Sequence, residues 1–215
     1  LVYTPRSYNE RGALPHKYPV LYLLDGDAHF HSVTGLFQFL GEGVNGTYVV
    51  PEMIVIAIPN TDRNRDLTPT HTQKTASGTV RSSPNTTGGG SAFLQFVKAE
   101  LIPRIDSAYR TVNYRVLVGH SYGGITAIHA LYTIPETFNA YVAIDPSLWY
   151  DDQLLLKQAK GFFNKPGLFK KSLFLAQANT INPDDSTSNL HFSSIVQFNS
   201  VVESYNQSGI RYAYK

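Results

Sequence analysis

The sequence predicts an α/β domain built on a doubly wound, mostly parallel sheet, and three observations predict it. Its apolar runs are short, rich in β-branched residues and continuous rather than alternating, as strands buried on both faces read. Helical periodicity appears between those runs. A glycine-flanked serine stands where one run meets one helix.

Taken in chain order, strands are expected at 18–24, 53–58, 114–118, 140–144 and 172–178, with weaker ones at 1–3 and from 210 onward. Phe93, Phe96, Val97, Leu101 and Ile105 recur at helical spacing, with Ser91 as the expected N-cap. A second helix is expected at 122–133, stopped by Pro135. A third is marked by Ile195, Phe198, Val202 and Tyr205, with Gly209 as its stop. Residues 60–90 are rich in Thr, Ser, Asn and Gly and leave the carboxyl end of the second long strand. A connection of about thirty residues at that edge is expected to shape a binding cleft.

The 215 residues are one domain's worth of chain. Eighteen basic against sixteen acidic residues leave a net charge of +2, and the basic residues are dispersed. Neither a nucleic-acid partner nor an anionic membrane surface is therefore expected. The longest apolar run, Met53 to Ile58, is far too short to span a bilayer. There is no cysteine, which removes disulfides, thiolate metal sites and cysteine nucleophiles. Nor does any His/Asp/Glu cluster have metal-ligand spacing, and Gly88-Gly89-Gly90 lacks the lysine and hydroxyl residue of a phosphate loop, so no metal or cofactor is expected.

The sharpest signal is Gly119-His120-Ser121-Tyr122-Gly123, followed by Gly124. It joins a strand to a helix, the setting in which Gly-x-Ser-x-Gly forms a nucleophile elbow. A strand reversing into a helix within a few residues forces the serine into a strained backbone conformation, so its neighbours must lack side chains. The turn lifts the hydroxyl above the sheet edge and aims the first N–H groups of the helix at any oxyanion formed there. Those donors are expected to be the backbone N–H groups of Tyr122 and of Asp27, on the loop Leu24-Asp25-Gly26-Asp27 after the first long strand. His120 is expected to be a packing residue facing away from the cleft.

Nucleophile, acid and histidine follow one another in that order in this kind of site. His129 lies on the same helix as Ser121, about 12 Å away at 1.5 Å per residue, too far to reach it. His191 stands before the last helix and is the in-chain fallback. His29, His31 and His71 violate the order. The histidine is therefore expected beyond Lys215, and the chain reads as a fragment lacking the segment after its last strand and a first strand at the other end. Asp184 is the expected acid, with Asp185 beside it, Asp145 as an outside alternative, and a serine–histidine dyad also open.

Several segments resemble the putative-esterase family of α/β-hydrolases, which includes esterase D and the enterochelin (siderophore) esterases. They are Tyr18-Pro19-Val20-Leu21-Tyr22-Leu23-Leu24-Asp25-Gly26, the segment from Ile58 through Asn60, Arg63 and Arg65 to Pro69, and Gly89-Gly90 leading to Pro103. The elbow and Ile144-Asp145-Pro146-Ser147-Leu148-Trp149 complete the set. The resemblance implies a serine hydrolase acting on a small-molecule carboxylic ester, with the trilactone of a catecholate siderophore among the substrates it suggests. An acyltransferase of the same fold and a non-catalytic binding domain are the alternatives. Arg63 and Arg65 are placed to hold an anionic substrate or product, or else to pair with Asp62 and Asp66. Trp149 is expected to line the pocket or to pack under the loop.

Overall fold

Seven strands form one sheet in the order β1-β3-β2-β4-β5-β6-β7 in the computed structural model. It describes residues 1–10, 16–43, 46, 48–80, 82–179, 181–182, 184 and 186–215, without the side chains of 186–188. The strands are β1 (Val2–Tyr3), β2 (Tyr18–Leu23), β3 (Ile54–Ala57), β4 (Thr111–His120), β5 (Ala140–Ile144), β6 (Ser172–Ala176) and β7 (Arg211–Tyr214). Only β1, which opposes β3 through Val2 and Ile56, runs antiparallel among them. The carboxyl ends of β2 to β7 therefore share one edge, where ligands bind in open α/β sheets.

The helices are α1 (Gly26–Gly41), α2 (Arg63–Asp66), α3 (Gly90–Phe96), α4 (Ile102–Ala108), α5 (Tyr122–Thr133), α6 (Tyr150–Phe163) and α7 (Ser186–Tyr205). Register alignment puts Leu117, Tyr141 and Leu173 on one sheet face. On that face they meet Ile128 and Leu131 of α5, Ala159 and Phe163 of α6, and Ile195, Phe198 and Val202 of α7 in the main core. The other face carries Leu21, Leu23, Val55 and Val118, covered by Phe30, Val33 and Phe37 of α1. Farther along that face, Tyr114, Ile144 and Phe174 are exposed.

The expected α/β architecture holds, with shifts at element ends. β4 begins three residues earlier than its apolar run, because Thr111 already pairs with Tyr18 across a register shift. The expected helix around Phe93 starts at Gly90, so Ser91 is not its cap; the Ser91 hydroxyl instead meets His129 Nε2 at 3.2 Å. That helix widens into a π-helical turn at Val97–Leu101 before Pro103, whose ring and missing N–H do not suit an α-helix interior. Helices α1 and α6 were not anticipated. The segment 60–90 is pinned rather than loose: Leu67 and Thr68 are buried, the Thr126 hydroxyl donates to Leu67 O, and Tyr150 Oη donates to Thr70 O.

Candidate active site

Ser121 sits between β4 and α5 with φ 56° and ψ −111°, a conformation that side-chain-bearing residues hold only under local constraint. The constraint is visible. Ser121 N–H donates to Ile144 O (3.0 Å), and Ser121 O accepts from Ile125 N–H and Ser147 N–H (3.1 and 3.2 Å). A Cβ at Gly119 would stand 2.2 Å from Gly123 O, and one at Gly124 would stand 2.9 Å from Pro146. The first turn of α5 thus lies against both the end of β4 and the turn after β5, and only glycine permits either approach.

The turn after β2 closes the site from the other side. Asp25 holds φ 52° and is 4% exposed; its carbonyl accepts the N–H groups of Ala28 and His29, while Gly26 N–H donates to Ile58 O. Asp27 occupies the second position of α1, where an N–H has no intrahelical carbonyl to bond. Arg63 grips the Asp25 carboxylate with two prongs, Nε to Oδ1 at 2.7 Å and Nη2 to Oδ2 at 3.0 Å. Asn60 Nδ2 bridges Asp25 Oδ1 (2.7 Å) and Asp27 Oδ1 (3.0 Å). The Arg63 guanidinium also lies 5.2 Å from the centre of the Tyr122 ring. The partner of Arg63 is therefore Asp25, not Asp62 or Asp66 as its sequence neighbourhood suggests, because the buried carboxylate offers the drier and better-shaped site.

Arg65 does pair with Asp66 (2.7 Å), and that hydrogen bond holds its guanidinium above the usual range. Asp62 caps α2 by accepting the Arg65 N–H, which, with the Thr86 hydroxyl, lowers its carboxyl pKa. Arg65 also borders an apolar groove lined by Ile58, Pro59, Phe93 and Phe96. Trp149 is half-buried and packs against Tyr122 and Tyr150, with ring centres 6.1 Å away in each case.

The Ser121 hydroxyl is 3.0 Å from the Ser147 hydroxyl, its hydrogen-bond partner among the described residues. The imidazole that meets a carboxylate at this edge is His191, whose Nε2 lies 3.0 Å from Asp145 Oδ2; Asp145 Oδ1 accepts from Ala178 N–H. Asp184 is exposed on the connection after β6, its N–H donating to Asn182 Oδ1, and Asp185 lies outside the described residues. His129 turns away toward Ser91, and burial lowers its pKa. His120 does point away from the main core, but it is exposed instead of packed, edge-on to His29 with ring centres 5.8 Å apart. Among the described residues no group of three His, Asp or Glu side chains is arranged to hold a metal, and no helix is long and apolar enough to cross a membrane.

Sequence reasoning did not single out Ser147 or the Asp25–Arg63 pair. The first was visible only as part of the segment after β5. The second joins residues 38 apart, which no local spacing rule connects.

A parallel sheet with a serine elbow after its central strand, backed by a glycine-bearing turn from the neighbouring strand, defines an α/β-hydrolase. The family model described as "Putative esterase" matches residues 1–188, and the chain belongs to that family. It is 31% identical over 180 residues to a siderophore enterobactin esterase of Emericella nidulans, covering 78% of this chain and 59% of that one. It is 30% identical over 160 residues to a siderophore triacetylfusarinine C esterase of Aspergillus fumigatus, covering 67% and 49%. The chain thus spans about half to three-fifths of the curated relatives it matches. Among solved structures it is similar to an IroE-like serine hydrolase from Shewanella oneidensis, with TM-score 0.89 and 37% identity over all of this chain and 67% of that one.

Proposed function

We propose that the protein is a serine hydrolase that cleaves carboxylic esters through an acyl-enzyme on Ser121, with siderophore-type lactone esters as its substrate class. The observation that carries this reading is the strained Ser121 backbone at the carboxyl edge of the sheet, held by bonds to Ile144, Ile125 and Ser147. The relatives that act on siderophores support the substrate class.

In this mechanism Ser121 Oγ attacks the ester carbonyl, and the tetrahedral oxyanion is held by the N–H groups of Tyr122 and Asp27 at two helix N-termini. A histidine takes the serine proton, returns it to the leaving alcohol and then activates the water that clears the acyl group. The order of such sites places the acid after Ser121, where Asp184 presents an exposed carboxylate on the connection leaving β6, and the histidine after the acid. Arg65, beside the apolar groove of Phe93 and Phe96, and Trp149 are the side chains assigned to substrate contact in this reading. Arg63, committed to Asp25, holds the oxyanion turn.

Fluorophosphonate labelling followed by peptide mass mapping tests this. We expect modification at Ser121, lost in Ser121→Ala. Labelling elsewhere would refute the nucleophile. Labelling abolished by His191→Asn would assign the base to His191.

A further inference from the structure

Ser147 is buried (2% exposed) and its hydroxyl has one hydrogen-bond partner among the described residues, the hydroxyl of Ser121 at 3.0 Å. A buried hydroxyl normally finds a partner in the backbone or in ordered water. This one is satisfied by the residue read as the nucleophile. Its backbone is tied to the same residue, since Ser147 N–H donates to Ser121 O at 3.2 Å.

The turn that carries Ser147 is fixed at both ends. Asp145 holds φ 44°, its N–H donates to Ala176 O, and its carboxylate binds Ala178 N–H and His191. Tyr150 N–H closes the far side on Ser147 O at 2.9 Å. Pro146 abuts Gly124 of α5, at a spacing that any side chain there would disrupt. These contacts fix the Ser147 backbone beside Ser121, and a χ1 rotation away from Ser121 would strand the buried hydroxyl without that partner.

We propose that Ser147 is a positioning residue for the nucleophile, a role that rests on reading Ser121 as the attacking group. Either hydroxyl can donate in the resting pair. Once a base accepts the Ser121 proton, Ser147 must be the donor, so its O–H fixes the Ser121 rotamer and directs the Ser121 proton outward. As that proton leaves, the donated bond strengthens, because its acceptor gains negative charge. The same donor serves deacylation, when Ser121 Oγ departs from the tetrahedral intermediate and again carries charge. In the acyl-enzyme between those steps Ser121 Oγ is an ester oxygen and a poor acceptor, so the buried hydroxyl favours leaving that state.

The test measures fluorophosphonate labelling rates and steady-state hydrolysis of p-nitrophenyl butyrate in the parent protein and in Ser147→Ala, Ser147→Cys and Ser121→Ala. Ser147→Ala is expected to slow labelling about tenfold to a hundredfold, with kcat falling and KM within about twofold. Its urea midpoint should stay close to that of the parent. Ser147→Cys, near in size and a weaker donor, should fall between the two and covers the case in which the alanine variant misfolds. If both Ser147 variants label within twofold of the parent while Ser121→Ala does not label, the inference is overturned and the nucleophile stands. If Ser121→Ala labels like the parent, the reading of the nucleophile fails, and this role with it.

Discussion

Replacing Arg63 by methionine should destabilise the protein more than replacing Asp25 by asparagine, although both changes break the same ion pair. The two partners are unequally buried: the Asp25 side chain is 4% exposed and Arg63 is 37% exposed. Asp25→Asn keeps size and a hydrogen-bonding oxygen, and asparagine tolerates the left-handed φ of 52° held here. The orphaned guanidinium can turn toward water, so the loss should be about 1 kcal/mol. Arg63→Met leaves a carboxylate in the interior with Asn60 as its remaining side-chain donor. Breaking a fully buried pair costs about 3–5 kcal/mol; the Asn60 bond and the half-open rim reduce this to about 2–3 kcal/mol. The gap of about 1–2 kcal/mol is measurable as a shift in urea midpoint at constant slope. The double variant should then show a coupling energy of about 1 kcal/mol or more. Both single variants should also slow labelling of Ser121, because the Asp25 turn carries the Asp27 N–H. Equal losses, or coupling below about 0.3 kcal/mol, would mean that water already reaches the Asp25 carboxylate, and the burial argument would fail.

Two glycine substitutions should move stability in opposite directions. Gly119→Ala would drive a Cβ to 2.2 Å from a backbone oxygen and should lower stability by more than about 3 kcal/mol or prevent folding, whereas Gly35→Ala in α1 meets nothing within 4 Å and should raise stability by about 0.5–1 kcal/mol. Phe198→Ala should cost about 3–5 kcal/mol in the same urea assay, since the ring is fully buried against Phe163. Burial holds the His129 imidazole below its usual 6.5, so the unfolded chain binds its proton more readily than the folded one. Its stabilising contribution is complete above about pH 6.5 and is lost as pH falls through the depressed value. Midpoints measured from pH 7.5 to 5 should decline, and His129→Gln should flatten that decline.

The strands were legible because a doubly covered parallel strand must be apolar throughout, and β2 and β3 obey that rule; β5 is apolar as well, although its Ile144 is exposed. Helix α5 was legible to the residue, bounded by the elbow and by Pro135. Helix α1 was missed even though Phe30, Val33 and Phe37 mark a helical face, because Gly35 and β-branched Val33 and Thr34 weaken its propensity. In α6 the signal is Leu155, Leu156, Ala159 and Phe163, but the first turn bends through three positive-φ residues that no periodicity announces. The serine itself was legible from local spacing. Its surroundings were not, because Arg63 reaches Asp25 and Ser147 reaches Ser121 across gaps of 38 and 26 residues that only the finished sheet closes.

The placement of backbone strain gives an independent reason to see this edge as the working part of the molecule. Asp25, Ser121 and Asp145 each lie within two residues of the end of a strand, and those strands, β2, β4 and β5, are neighbours in the sheet. Each holds positive φ without being glycine, a conformation that costs on the order of 1–3 kcal/mol when bulky or off the favoured well. The two residues that follow β3 and β6, Ile58 and Pro59, Gln177 and Ala178, are not among the positive-φ positions, so turning from a strand to a connection does not by itself demand the strain. The other strained non-glycine positions among the described residues, Asp151, Asp152 and Gln153, lie a few residues beyond Ser147. Each of the three side chains at the strand ends is also held: Asp25 by Arg63 and Asn60, Ser121 by Ser147, and Asp145 by His191. Strain concentrated at three adjacent strand ends and in the turn just beyond Ser147, with the strand-end side chains fixed by specific partners, is the pre-organisation that the proposed role of Ser121 calls for. A surface retained only for binding would have no need to hold a serine at φ 56° between two buried turns.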